Sequence, residues 1–97
     1  MEELTPRFMK VHVKSFAHLR LALGQSPLTV EMPEGGTVAD LIDTLVERYG
    51  EPARNAIWKR VGEELKVTPV IDGKSIPLDT PLQEGMTVVF MSIVAAG

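Results

Sequence analysis

Few residues of this chain stand where side-chain chemistry would need them. There is no cysteine, which removes disulfides, thiolate metal sites and a cysteine nucleophile together. His12 and His18 are six positions apart, one on the polar face of an extended stretch and one in the turn beyond it. With no carboxylate at ligand spacing they read as surface residues rather than metal ligands. Ser15, Ser26, Ser75 and Ser92 have no G-x-S-x-G setting and no recognisable triad. Gly35-Gly36 before Thr37 opens a helix as an anion-binding loop does, but it lacks the lysine and the spacing of a P-loop and reads as a turn. The sequence ends Val94-Ala95-Ala96-Gly97, slim and uncharged. A small-residue end is by itself no signal, because many chains fray there. Its only reactive group is the terminal carboxylate. With a pKa of about 3.5 that group is ionised at neutral pH, and it is a poor electrophile that transfers nothing until it is activated.

The elements that would carry these residues follow from periodicity. Residues 8–16 alternate, with Met9, Val11 and Val13 on one face and Lys10, His12 and Lys14 on the other, as in a half-buried strand. Residues 17–23 form a helical turn with Leu19 and Leu23 inward and Gly24 as its stop. Leu28, Val30 and Met32 alternate again, and Gln25-Ser26-Pro27 makes a hairpin of the two strands. The clearest segment is 37–50. Thr37 and Asp40 stand as a capping-box pair, and Val38, Leu41, Ile42, Leu45, Val46 and Tyr49 make one apolar stripe. Gly50 is the C-cap and Pro52 prevents continuation. Residues 53–60 are expected to be a second short helix with Ile57 and Trp58 packing inward, and Gly62, Glu63 and Glu64 a surface connection. Residues 67–71 are extended, with Pro69 marking an edge or a start, and Asp72-Gly73 is a two-residue hairpin turn. Residues 77–82 are a proline-punctuated crossing. Glu84-Gly85 turns the chain into a last strand over 86–93. The sum is an α+β domain, a mixed sheet of four to five strands with one main helix across one face.

Bulk composition agrees. Ninety-seven residues, 44% hydrophobic and 24% charged, make one domain with one modest core. Apolar runs fall far short of the ~20 residues needed to span a bilayer. The first residues carry two acids and no apolar stretch, unlike a signal peptide, so a cytoplasmic location is expected. A net charge of −3 gives no basic stripe for nucleic acid.

Three stretches then resemble a known family. They are Val13-Lys14-Ser15-Phe16-Ala17 with Leu19-Arg20, then Gly36-Thr37-Val38-Ala39-Asp40-Leu41, then Pro81-Leu82-Gln83-Glu84-Gly85-Met86-Thr87-Val88 leading to Val94-Ala95-Ala96-Gly97. In order and spacing, over roughly residues 11–97, they resemble the MoaD/ThiS-like sulfur carriers of molybdopterin and thiazole biosynthesis, small β-grasp relatives of ubiquitin. Two positions depart from the pattern. Glu84-Gly85-Met86-Thr87 replaces the usual Asp-Gly-Asp-Glu, and Ala96 stands where members carry the first of two terminal glycines.

The resemblance implies a β-grasp fold over residues 7–93, a flexible lead over 1–6 and a projecting tail over 94–97. It implies that Gly97 is the reacting residue and that the chain binds no cofactor. A ubiquitin-activating-type enzyme would adenylate Gly97 with ATP, and a persulfide donor would convert it to a thiocarboxylate. That sulfur, which here cannot come through a side-chain thiol, would pass to an acceptor such as the large subunit of molybdopterin synthase. This chain would be the small subunit, without a catalytic pocket of its own. Carriers of thiazole, thiolated-tRNA and cysteine pathways resemble it equally.

The tail suits that use. Val94, Ala95, Ala96 and Gly97 span at most about 14 Å when extended, short and slim enough for a narrow channel. Glycine at the end has no Cβ to clash with a channel wall and cannot racemise. Ala96 adds a methyl, at an expected modest cost. Both faces of the last strand are largely apolar, and one helix covers only one face. The other is expected to be a partner surface carrying Phe90, Met91 and Ile93, with Trp58 a further candidate and Lys10, Lys14, Arg20 and Lys59 at its rim. Two other readings stand beside carriage. One is a protein modifier joined to a target lysine through Gly97; the other is a non-covalent ubiquitin-like subunit that has lost the chemistry, which Ala96 keeps open.

Overall fold

The alternation near the start of the chain becomes two antiparallel strands, β1 (Phe8–Ser15) and β2 (Leu28–Pro33), with Val11 opposite Val30. The computed structural model describes residues 7–60 and 64–92. The expected lead over residues 1–6, and Gly62 and Glu63 of the expected connection, lie outside the described residues. The remaining elements are α1 (Ala17–Leu23), α2 (Val38–Tyr49), α3 (Glu51–Ile57), β3 (Trp58–Arg60), β4 (Glu64–Leu65), β5 (Val67–Ile71), β6 (Lys74–Ser75) and β7 (Thr87–Ser92). Five strands form one mixed sheet in the order β2-β1-β7-β5-β6, and β3 and β4 form a separate ribbon. This is the β-grasp arrangement. The last strand threads between the first strand and β5, parallel to β1 and antiparallel to β5.

One layer of apolar side chains joins sheet to helices. Met9, Val11, Val13, Leu28, Val30, Met32, Val67, Val88 and Phe90 of the sheet share a buried cluster with Leu19 and Leu23 of α1, with Val38, Leu41, Ile42 and Leu45 of α2, and with Ala53 and Ile57 of α3. Each such Leu, Ile or Phe contributes about 1.5–3 kcal/mol by leaving water. The helices therefore lie on one face of the sheet, with the expected main helix, α2, packed on the short α3 and α3 in turn on α1.

Helix α2 starts where several groups satisfy its first N–H donors. Asp40 N–H donates to Thr37 Oγ1 at 3.3 Å, and Thr37 N–H donates to Asp40 Oδ2 at 2.9 Å. Val38 N–H reaches Thr80 O at 3.1 Å and Ala39 N–H reaches Leu78 O at 2.9 Å. The proline-punctuated crossing over residues 77–82 thus supplies carbonyls that a free helix end would leave to water. Gly36, just before the cap, is buried. A Cβ there would run into the Met32 Cε methyl and lie 3.1 Å from Pro33 O.

Residues 51–60 differ from expectation. Gly50 closes α2 through its N–H to Val46 O and also caps α3, so a single residue joins the two helices. Pro52 sits in the first turn of α3, where its missing N–H costs nothing; it starts a helix as well as ending one. The helix stops at Ile57, whose carbonyl accepts from Lys66 N at 2.7 Å. Trp58 is consequently extended and pairs with Leu65. Glu64, expected in a loop, is the exposed start of β4.

Two turn readings are explained by the backbone. Asp72 and Gly73 have φ of 51° and 79°, the two left-handed residues that a tight β5–β6 hairpin requires. Pro69 lies mid-strand, with its carbonyl accepting from Ile76 N at 3.0 Å. Its nitrogen faces that same side, away from β7, so no bond of the central ladder is lost.

One buried polar atom is unsatisfied. Ser15 is 1% exposed, and its Oγ has no hydrogen-bond partner among the described residues. Removing an orphaned hydroxyl relieves its desolvation cost, so Ser15→Ala is expected to raise unfolding stability by about 1 kcal/mol. Thr37→Ala, which breaks the capping box, is expected to lower stability by about 1 kcal/mol. Urea unfolding of both variants measures the two signs.

Candidate functional site

Strand β7 brings the chain to its candidate reacting end. Before it begins, the Glu84-Gly85 turn docks on β1: Lys10 N–H donates to Glu84 Oε1 at 2.9 Å and Lys10 O accepts from Gly85 N at 2.8 Å. Gly85 makes this turn at φ 82°, open to glycine at little cost. The strand then pairs on both sides, with Val88 opposite Val13, Phe90 opposite Ser15 and Pro69, and Ser92 opposite Val67. Held on both edges, it fixes the point from which the chain continues. Ile93, Val94, Ala95, Ala96 and Gly97 lie outside the described residues.

Side chains alternate along β7. Val88 and Phe90 are 0% and 1% exposed and face the helices. This corrects the expectation for Phe90. It is a core residue, because the period of two puts it on the same side as Val88 and in one cluster with Leu41, Ile42 and Leu45. Thr87, Val89 and Met91 face the other way, and Met91 is 47% exposed. On this open face Val89 lies between Lys14 and Val70, and Met91 lies beside Thr68. One step past the last β1–β7 pair comes Phe16, 51% exposed at the end of the sheet where β7 leaves.

The other singled-out residues are spread over the molecule. Lys10 and Lys14 are exposed on the Met91 face, Arg20 is exposed on α1 and Lys59 on β3. Trp58 is half-buried and packs against the core from the β3–β4 ribbon, which is separate from the sheet that holds β7. His12 Nδ1 lies 3.1 Å from Thr29 Oγ1 across the β1–β2 pair, while His18 lies on α1. Among the described residues no three His, Asp or Glu side chains gather closely enough to hold a metal ion. None of their helices is long and apolar enough to cross a membrane. What the arrangement offers is a last strand paired on both edges, with an apolar face beside it.

Sequence reasoning passed over Phe16 and Leu21. Leu21 is 81% exposed although it lies between the buried Leu19 and Leu23. The signal was present: two positions from each, at 100° per residue, places it on the opposite side of α1.

Comparison with known proteins adds to this geometry. The model of the ThiS family matches residues 13–97, a span that takes in the whole sheet from Val13 onward and the final residues. A candidate molybdopterin converting factor subunit 1 from Pyrococcus furiosus is 30% identical, superposes with a TM-score of 0.73, and the match covers 89% of this chain and 99% of that one. Small archaeal modifier protein 1 from Methanosarcina acetivorans is 27% identical with a TM-score of 0.69, over 94% of this chain and 99% of that one. Small archaeal modifier protein 1 from Haloferax volcanii superposes with a TM-score of 0.78 at 21% identity, over 89% and 99% of the two chains, a likeness of fold. No curated protein matches the sequence.

The two faces of β7 make opposite predictions. Phe90→Ala is expected to cost about 3–5 kcal/mol, as for a large core side chain. Met91→Lys, at an exposed position, is expected to change stability by less than about 0.5 kcal/mol. Chemical denaturation of both variants checks the assignment.

Proposed function

The chain belongs to the ThiS family, and on that premise we propose that it is a sulfur carrier that works through Gly97, the last residue of its sequence. In this reading an adenylating enzyme of the ubiquitin-activating type joins the Gly97 carboxylate to AMP, using ATP. The outer sulfur of a persulfide donor then displaces AMP to form an acyl disulfide, and a thiol on the partner enzyme cleaves its S–S bond, which leaves the thiocarboxylate on Gly97 and a disulfide on the partner. The sulfur passes to an acceptor in a second enzyme, most concretely the large subunit of molybdopterin synthase. The relative from Pyrococcus furiosus, named as a converting factor for molybdopterin, favours that acceptor.

The observation that carries the reading is the placement of β7. Paired on both sides as far as Phe90 and with β5 as far as Ser92, it directs the chain toward its last residues from the interior of the sheet rather than from an edge. A carrier needs its reactive end at a fixed origin and free of its own core, because the chemistry belongs to another protein's site. The family match runs through Gly97 as well. The exposed Met91 and half-buried Val89 beside that origin, with Lys14 next to Val89, give the receiving enzyme an apolar surface to rest on.

A second reading, a protein modifier joined to target lysines through Gly97, is favoured by the 27% identity to an archaeal modifier protein. The two differ in product. Carriage leaves a protein heavier by one sulfur-for-oxygen exchange at Gly97; modification leaves isopeptide adducts.

Intact-mass and peptide analysis of protein isolated from its own cells is expected to find the sulfur exchange at Gly97. Deleting Gly97 is expected to abolish adenylation. Ala96→Gly, which restores the usual terminal pair, is expected to speed adenylation by less than about tenfold, equivalent to ~1.4 kcal/mol. Adducts without any thiocarboxylate would favour the modifier. Unchanged adenylation after deletion of Gly97 would sink both readings.

A further inference from the structure

We propose that the groove between α1 and α3 is a second contact for the enzyme that adenylates Gly97, and that the enzyme fills it with an apolar side chain flanked by carboxylates. The proposal rests on the carrier reading and adds a site to it. The groove has a volume of about 640 Å³. Phe16, Leu21 and Ala22 line it from the β1–α1 side and Pro52 and Ala56 from α3, with Val67 at the start of β5. Phe16 and Leu21 are 51% and 81% exposed, so two large apolar side chains that the core does not use converge on one cleft. Ala17 between them holds φ 52°, a left-handed conformation unfavourable for a residue with a Cβ. That bend turns the chain out of β1 into α1 and so sets Phe16 and Leu21 on the wall.

Position decides the occupant. The groove lies at the end of the sheet where β7 leaves. Val67, which lines it, pairs with Ser92; Phe16 and Ala17, which also line it, follow the Ser15–Phe90 pair. From Ser92 only five residues remain to Gly97, and these reach at most about 17 Å when extended. An enzyme that holds Gly97 in its active site is thereby pressed against this end of the molecule and covers the groove.

Charge decides the chemistry of the contact. The chain is net negative at −3, yet no Asp or Glu is among the described residues lining the groove. His18 and Lys66 line it, and exposed Arg20 stands in a neighbouring notch with Leu21 and Gly24. Lys66 is held in place by donating from Nζ to Asn55 O at 2.7 Å. An apolar body with carboxylates at its flanks complements this lining in both shape and sign.

The test is ATP–pyrophosphate exchange by the adenylating enzyme encoded in the same genome, with the full chain as substrate. Leu21→Glu is expected to raise KM by about tenfold or more with kcat unchanged, as for a docking contact made equally before and during reaction. Leu21→Lys is expected to raise KM less, with the gap between the two variants narrowing as salt is added. Both should melt like the parent, since Leu21 is outside the core. Exchange that depends on Gly97 but shows the parental KM in both variants overturns the groove and leaves the carrier reading standing. No exchange by the parent chain, or exchange that survives loss of Gly97, removes both. A lower KM for Leu21→Glu would mean that the groove holds the chain's own end. A dimer dispersed by Leu21→Glu at unchanged KM would give it to a second copy. Either result overturns the proposal.

Discussion

The parallel pairing of β7 with β1 is the interaction on which the rest of the molecule depends. It joins segments about as far apart in sequence as the described residues allow, and it begins with a clamp in which Lys10 gives both backbone groups to the Glu84-Gly85 turn. Between the two strands, the chain adds β2 to one edge of the pair and β5–β6 to the other, and lays its helices on one face. Parallel neighbours cannot be joined by a tight turn, so the connection carries β2, all three helices, the β3–β4 ribbon and the β5–β6 hairpin. A one-residue slip of β7 would send Phe90 to solvent and Met91 to the core. The burial of Val88 and Phe90 therefore fixes both the register and the place from which the chain end leaves.

The crossing over residues 77–82 shows the same economy. It links β6 to β7 across the start of α2, and the carbonyls of Leu78 and Thr80 take the N–H groups of Ala39 and Val38 there. Leu82 is 3% exposed and its N–H donates to Gly36 O, so the segment is stitched to the helix start from both directions. A stretch rich in proline forms no regular element of its own, but it presents free carbonyls at the right height. The helix position is thus coupled to β7, the strand that follows the crossing.

On the carrier reading, function is divided between molecules. The described residues bring together no cluster for metal binding, and the buried interior is almost wholly apolar. What the fold supplies is geometry: a β7 origin held on both edges, a weakly covered face with Met91 and Val89, and a cleft between α1 and α3. A carrier gains from having no chemistry of its own, because its end must stay inert until an activating enzyme closes over it.

Periodicity in the sequence was enough for the strands of the β1–β2 pair, for α2 and its capping box, for Gly24 as the end of α1 and for the Asp72-Gly73 hairpin, because each rests on neighbours within a few residues. The family resemblance rested on similarly local patterns, and the fold it implied is the fold observed. Three things needed the tertiary structure. Pro52 starting α3, with Trp58 drawn into a ribbon, depended on Leu65 and Lys66 arriving to take the Trp58 strand and the Ile57 carbonyl. The assignment of Phe90 to the core depended on which face of β7 the helices cover, since both faces of that strand are apolar and alternation alone cannot choose. The groove under Phe16 and Leu21 exists only because α1 and α3, some thirty residues apart in sequence, pack side by side. Local sequence sets the period of each element, while the face it turns inward is decided by whatever distant segment arrives to cover it.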